Sequence, residues 1–202
     1  MTTGRRRRGL LSPILALAVT MTALAACSQR EFAGFVREPA PDVSALSLPD
    51  TSTGSELELR ARPGGLLMVY FGYTNCPDYC PTTLSDLRIA LRRADDPAGV
   101  DVAMVTVDPD RDGAILADYV GSFFPGGHSL VTTDAARLAA VAEPFGASYL
   151  VSTNEDGEVE VAHSTALYAI DDQGLLVMTW PFGIDTDEMS ADIRDLLDGR
   201  RA

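Results

Sequence analysis

Residues 70–81 read Tyr-Phe-Gly-Tyr-Thr-Asn-Cys-Pro-Asp-Tyr-Cys-Pro and continue an uninterrupted apolar run that begins at residue 66. Such a run is typical of a strand that is buried on both faces. Pro81 suits the first position of a helix, because the amide that proline lacks would have no partner there. We therefore predict a strand, then a loop that contains Cys76, then a helix with Cys80 at its N-cap.

Strands and helices alternate on both sides of this stretch. The predicted strands are at about residues 66–71, 101–107, 129–131, 148–152, 159–170 and 175–180, and the predicted helices at about 81–94, 114–124, 134–143 and 186–197. Strand, helix, strand, helix, and then a hairpin and a last helix is the order of a thioredoxin-like fold. We therefore predict an α/β domain with a central mixed sheet flanked by helices.

The N-terminus has the pattern of an export signal. Four arginines at residues 5–8 precede an uncharged stretch, 9–26, which is rich in Leu and Ala but too short and too rich in Ala and Thr for a membrane span. We predict a signal peptide at residues 1–26. The sequence Leu-Ala-Ala-Cys that ends at Cys27 resembles the lipobox of bacterial lipoproteins, which predicts lipidation of Cys27. The alternative is an ordinary signal peptide or an uncleaved anchor, with Cys27 an incidental thiol.

The segment after this cysteine has the composition of a tether. Residues 27–54 contain several prolines and many Ser, Thr and Asp residues, without clear periodicity. This predicts a lipidated N-terminus and flexible linker, followed by a folded domain at 55–202. The alternative is an N-terminal strand or hairpin that packs on the domain, for which Leu57 and Leu59 supply apolar side chains.

The chain is strongly acidic. It has 16 arginines, no lysine and 29 acidic residues, and removal of the four arginines of the signal would take its formal charge from −13 to −17. This balance argues against binding to nucleic acid and against electrostatic adhesion to anionic lipid. It is compatible with a basic or metal-bearing protein partner, and with the simpler explanation that acidity keeps an exported domain soluble.

If Cys27 is lipidated, Cys76 and Cys80 are the two remaining thiols, in a compartment that permits disulfides. They can bind a soft metal, exchange disulfides, or form a structural disulfide. Thiol oxidoreductases of this fold usually have two residues between their cysteines and a cis-proline facing them. This chain has three intervening residues and no proline between Phe145 and Trp180.

His163 supplies a third donor in the segment that lacks the proline. Two thiolates and an imidazole favour copper, because thiolates stabilise Cu(I) and an imidazole keeps Cu(II) accessible. Zinc usually takes a fourth ligand, and the sequence places none nearby. The alternative is an ordinary strand histidine.

Four motifs together resemble the Sco/SenC copper-delivery proteins. They lie at residues 72–81, 107–112, 163–165 and 170–174, and the resemblance extends over about 48–197.

The resemblance implies a copper-binding metallochaperone, held by a lipid anchor at the extracytoplasmic face of the cell membrane. Its copper ligands would be Cys76, Cys80 and His163, with Asp108 a candidate for the second shell. Its recipient would be the dinuclear copper centre of cytochrome c oxidase subunit II, and another copper chaperone is a candidate donor. The alternative is a thiol-disulfide reductase that acts on the same subunit through Cys76 and Cys80. A peroxidase fits less well, since the usual Pro-x-x-x-Thr-x-x-Cys arrangement is missing.

Two details qualify the resemblance. Many relatives carry an acidic residue just before the histidine, whereas this chain has Ala162, so the imidazole needs another partner to orient it. Asp108 also has a simpler interpretation, in which it forms a helix-capping turn with its neighbours. If Cys76 and Cys80 bind copper, their oxidation to a disulfide would act as a switch that decides whether metal can bind.

Overall fold

The computed structural model describes residues 30–200, so the predicted signal peptide and Cys27 lie outside the described residues. The strands are β1 (Phe35–Val36), β2 (Ser47–Asp50), β3 (Ser55–Glu58), β4 (Leu66–Gly72), β5 (Val100–Thr106), β6 (His128–Leu130), β7 (Tyr149–Thr153), β8 (Val159–His163), β9 (Leu167–Ile170) and β10 (Leu176–Trp180). The helices are α1 (Tyr79–Arg93), α2 (Pro109–Asp112), α3 (Leu116–Phe123), α4 (Ala135–Ala142) and α5 (Thr186–Leu197), with a 3-10 turn at Glu143–Phe145.

Eight strands form a central mixed sheet in the order β1-β10-β9-β4-β5-β6-β2-β3. The quoted stretch begins in β4, which runs parallel to β5 and antiparallel to β9. All seven residues of β4 are buried, as the continuous apolar run predicts. The loop that follows β4 therefore starts from a rigid point in the middle of the sheet.

Side chains of β4 alternate between two cores, one on each face of the sheet. Met68 and Tyr70 join a core that includes side chains of α1, α3 and α5, whereas Val69 and Phe71 join a core that includes α4. Apolar side chains on both faces need a layer of helices on each, and the alternation of strands and helices supplies them.

The structure places strands inside the segment that the sequence predicts to be a linker. β1 pairs with β10, and β2 pairs with both β3 and β6. Leu48 is fully buried, and the buried carboxylate of Asp50 accepts hydrogen bonds from the amide of Ser129 at 3.0 Å and from Nδ1–H of His128 at 2.8 Å. This part of the segment belongs to the sheet, because its few apolar side chains enter the core between polar residues that pair with distant partners.

The structure adds one short helix that was not predicted and divides one predicted strand. The helix predicted at 114–124 begins at Leu116, after the separate short helix α2. The strand predicted at 159–170 is interrupted at 164–166, so that β8 pairs with β7 outside the central sheet while β9 joins β4. Within residues 30–200, no helix is long and apolar enough to cross a membrane.

Candidate metal centre

The two cysteines lie at the point where β4 leads into α1. Cys76 is in the connecting loop, and Cys80 is in the first turn of the helix. The prediction that Cys80 is the N-cap is wrong by two residues, since the helix begins at Tyr79 and Asp78 occupies the cap. Pro81 permits this earlier start, because the first turn of a helix has no intrahelical partners for its amides.

The structure brings the three predicted donors together. The Sγ atoms of Cys76 and Cys80 and a ring nitrogen of His163 all lie within 4.8 Å of one another. The contact between Sγ of Cys80 and Nε2 of His163 is 3.5 Å. Both cysteines are free and buried, and the imidazole is partly buried. The donor atoms thus line a recess rather than a surface.

His163 is the last residue of β8, at the point where the strand predicted at 159–170 is interrupted. Its Nδ1 lies 2.8 Å from the carbonyl oxygen of Ser164. A carbonyl only accepts hydrogen bonds, so Nδ1 carries the proton and Nε2 keeps a free lone pair toward Cys80. The backbone thereby orients the imidazole, as an acidic residue in place of Ala162 would otherwise do.

Burial acts on the protonation of both types of donor. It raises the pKa of the Cys80 thiol to about 12, and it lowers the pKa of His163. The hydroxyl of Tyr70 donates to Sγ of Cys80 at 3.6 Å, and the Cys80 amide donates to Sγ of Cys76 at 3.3 Å. The metal-free site therefore holds a neutral imidazole and a protonated Cys80, and a metal that binds this sulfur must displace its proton.

Asp112 holds the loop that carries the cysteines, a role that the sequence did not single out. Its carboxylate is fully buried and accepts hydrogen bonds from the amide and hydroxyl of Thr74 and from the hydroxyl of Thr106. These contacts join the loop after β4 to the end of the neighbouring strand β5. A signal was available, since the carboxyl ends of adjacent parallel strands meet at one edge of a sheet and Asp112 follows β5.

Asp108, the candidate for the second shell, is buried but turned to another partner. Its carboxylate pairs with the guanidinium of Arg111, and its amide donates to the hydroxyl of Thr106 at 3.0 Å. Among the described residues it makes no hydrogen bond to either cysteine or to His163. It lies at the N-cap of α2 without a side-chain capping bond.

Tyrosine rings and a glycine shape the space around the donors. The rings of Tyr70 and Tyr73 meet the imidazole of His163 edge-on, with centroids 6.1 and 5.6 Å away. A Cβ atom on Gly72 would lie 2.9 Å from Sγ of Cys80, so the end of β4 leaves just enough room for this sulfur. Two sulfurs and one nitrogen in this recess form a three-donor site for a soft metal ion.

Comparisons with known proteins agree with this geometry. The SCO1/SenC family model matches residues 46–198. The "Putative copper-binding protein" of Stutzerimonas stutzeri is 29% identical over 178 residues, which cover 84% of each chain. "Protein SCO2 homolog, mitochondrial" of Bos taurus is 32% identical over 136 residues, and the match covers 65% of this chain but only 51% of the bovine protein.

A solved structure shows the same fold. ScoI of Bradyrhizobium japonicum, determined with copper bound, is 28% identical and superposes with a TM-score of 0.64 over 77% of this chain and 97% of that one. The prediction of a thioredoxin-like α/β domain is thereby confirmed.

Proposed function

The chain belongs to the SCO1/SenC family, and on this premise we propose that it is a copper-binding metallochaperone whose ligands are Cys76, Cys80 and His163. The observation that carries the proposal is the convergence of these three donor atoms within 4.8 Å. It is supported by the copper named for the relative from Stutzerimonas stutzeri and for the solved structure from Bradyrhizobium japonicum.

The donor set favours copper over zinc. Structural zinc sites are almost always four-coordinate, and residues 30–200 contain no fourth Cys, His, Asp or Glu in this cluster. Cu(I) is satisfied by two thiolates and one further donor. An incomplete shell also leaves a position at which a recipient protein can add its own ligand.

We propose that the recipient is the dinuclear copper centre of cytochrome c oxidase subunit II, with another copper chaperone as the donor. The protein would work at the extracytoplasmic face of the cell membrane, anchored through lipidated Cys27 after removal of residues 1–26. The arginine run, the uncharged stretch and the lipobox-like sequence support this location.

The protonation state and orientation of His163 favour metal binding over the alternative function, reduction of disulfides in the same oxidase subunit. Its Nε2 is directed at Cys80, which is what a metal ligand requires, whereas attack of the Cys76 or Cys80 thiolate on a disulfide of the partner needs no imidazole at this position.

The variant His163→Ala tests the proposal. We expect it to abolish tight binding when the reduced protein is titrated with Cu(I) or Cu(II) against a competing chelator. Disulfide exchange by Cys76 and Cys80 should be largely unchanged. An unaltered copper affinity in this variant would exclude the three-ligand site.

A further inference from the structure

The hairpin β7–β8 stands apart from the central sheet. Its two strands form five cross-strand pairs with one another, and among the described residues neither strand pairs with any other. Leu150, Val151 and Val159 are 64%, 42% and 38% exposed. Val151 and Val159 share one face and Leu150 lies on the other. Exposed apolar side chains on a projecting element are typical of an interaction surface.

One face of this hairpin leads directly to the metal centre. Side chains alternate along a strand, so Val159 and Val161 share the face of His163 at the end of β8. Near His163, Val161 packs against the core, as does Tyr149 on the paired strand. Val159 lies about 13 Å from His163 along the strand, at ~3.3 Å per residue, and its side chain is exposed.

A cleft of about 500 Å³ separates the hairpin from the cysteine loop. Cys76 and His163 line it together with Tyr79 from the loop side and Val161 from the hairpin side. Tyr79 is 52% exposed and meets the ring of Phe182 edge-on at 4.9 Å. The cleft reaches two of the three donors, Cys76 and His163, whereas Cys80 is fully buried behind them.

The charged residues of the hairpin and of the cleft lining are all acidic. Residues 148–162 contain the acids Glu155, Asp156, Glu158 and Glu160 and no basic residue, and Asp78 lines the cleft. All four hairpin acids are exposed. Glu158 and Glu160 alternate with Val159 and Val161 and so lie on the other face of the strand, whereas Glu155 and Asp156 lie in the turn at the tip of the hairpin. A partner that enters the cleft therefore meets apolar side chains, with acids at the tip and behind the edge of the hairpin.

We propose that this cleft and the exposed face of the hairpin dock the protein that exchanges metal with the site, and that the partner inserts a protruding loop with basic flanks. A ligand on a flat surface cannot reach sulfurs this deeply buried, whereas a loop that enters the cleft can. Basic side chains beside that loop meet the hairpin acids, which accelerates encounter and fixes orientation. This inference rests on the proposed function and identifies the partner surface that the function requires.

The test compares two variants of equal charge. The hairpin variant carries Glu155→Gln, Glu158→Gln and Glu160→Gln, and the control carries Glu31→Gln, Glu58→Gln and Glu143→Gln, three exposed glutamates outside the hairpin. Transfer of Cu(I) to the metal-free copper-centre domain of subunit II is followed by stopped flow at low and high salt. We expect the hairpin variant to transfer about tenfold more slowly at low salt and to lose most of its salt dependence, with unchanged copper affinity. Equal rates for the two variants would overturn the proposal.

A second variant tests the apolar part of the surface. Val151→Thr with Val159→Thr keeps β-branched side chains in the strands, and Ile89→Thr is the control, at an exposed position on α1. We expect about fivefold weaker association of the metal-free proteins for the hairpin variant alone, measured by NMR titration. Unchanged association would refute docking at this face. Failure of wild-type protein to bind or transfer copper would instead refute the proposed function, which this copper-free titration does not test.

Discussion

At the scale of single residues, burial acts in opposite directions on the two kinds of donor. It raises the pKa of the Cys80 thiol to about 12 and lowers the pKa of His163, so that in both cases the uncharged form is favoured. A buried recess without metal therefore avoids isolated charges. In the proposed site, copper would replace a proton on the sulfur, whereas the imidazole nitrogen is already unprotonated.

This asymmetry predicts how copper affinity depends on pH. Between about pH 6.5 and 8, His163 is already neutral while Cys80 is still protonated in the metal-free protein. Binding as a thiolate then releases at least one proton, so the apparent affinity for Cu(I) should rise about tenfold per pH unit. Competition with a chelator of known pH dependence measures the slope. A flat profile would show that Cys80 does not bind copper as a thiolate, and Cys80→Ser should reduce the slope.

Asp112 should matter for copper although it does not touch the metal site. Asp112→Asn leaves one acceptor oxygen for three hydrogen-bond donors, so the loop around Thr74 loses its anchor. We expect a loss of about 1–3 kcal/mol in the free energy of unfolding and about tenfold weaker Cu(I) binding. Asp110→Asn, at an exposed neighbour, is the control. Lower stability with unchanged copper affinity would limit Asp112 to a structural role.

At the scale of elements, the end of β4 is adapted to the first turn of α1. A Cβ atom on Gly72 would lie 2.9 Å from Sγ of Cys80 and 2.7 Å from the ring of Tyr70. Gly72→Ala should therefore displace the sulfur, weaken Cu(I) binding, and destabilise the fold by about 1–3 kcal/mol. Gly121→Ala is a matched control, since a Cβ atom there meets nothing within 4 Å. Similar copper affinities in the two variants would contradict this account of the fit.

The elements that the sequence predicted well are those whose own pattern determines them. β4 is continuously apolar, and α5 begins where Asp185 caps it, so both were found near their true bounds. The break between β8 and β9 depends on which strand each half pairs with. The contact of Asp112 with Thr74 joins residues 38 positions apart. Local periodicity therefore predicts neither this contact nor the break between the two strands.

For the site too, the sequence predicted one part and missed another. The spacing of Cys76, Cys80 and the later histidine sufficed to group the three donors, because a loop after one central strand and a segment before its neighbour meet at one edge of the sheet. The sequence did not indicate that the carbonyl of Ser164 would orient His163, since that bond depends on the backbone leaving β8 at this residue.

At the scale of the whole molecule, the boundary of the folded unit lies earlier than residue 55. The compact unit begins at Phe32, and the amides of Ala33 and Gly34 donate to the carboxylate of Asp192 in α5. The indole of Trp180 donates to the same carboxylate at 2.9 Å. The N-terminal segment is thereby attached to the last helix and the last strand.

Two truncated chains test this boundary. A chain that starts at Arg30 retains β1 and β2 and should unfold cooperatively at the same denaturant midpoint as the chain that starts at Cys27. A chain that starts at Ser55 loses the fully buried Val43 and Leu48. Loss of buried aliphatic side chains costs about 2–5 kcal/mol each, against a total stability of about 5–15 kcal/mol. Circular dichroism should therefore show no cooperative transition for the shorter chain. An unchanged midpoint for the chain that starts at Ser55 would mean that residues 30–54 serve only as a tether, and that the sheet is stable without β1 and β2.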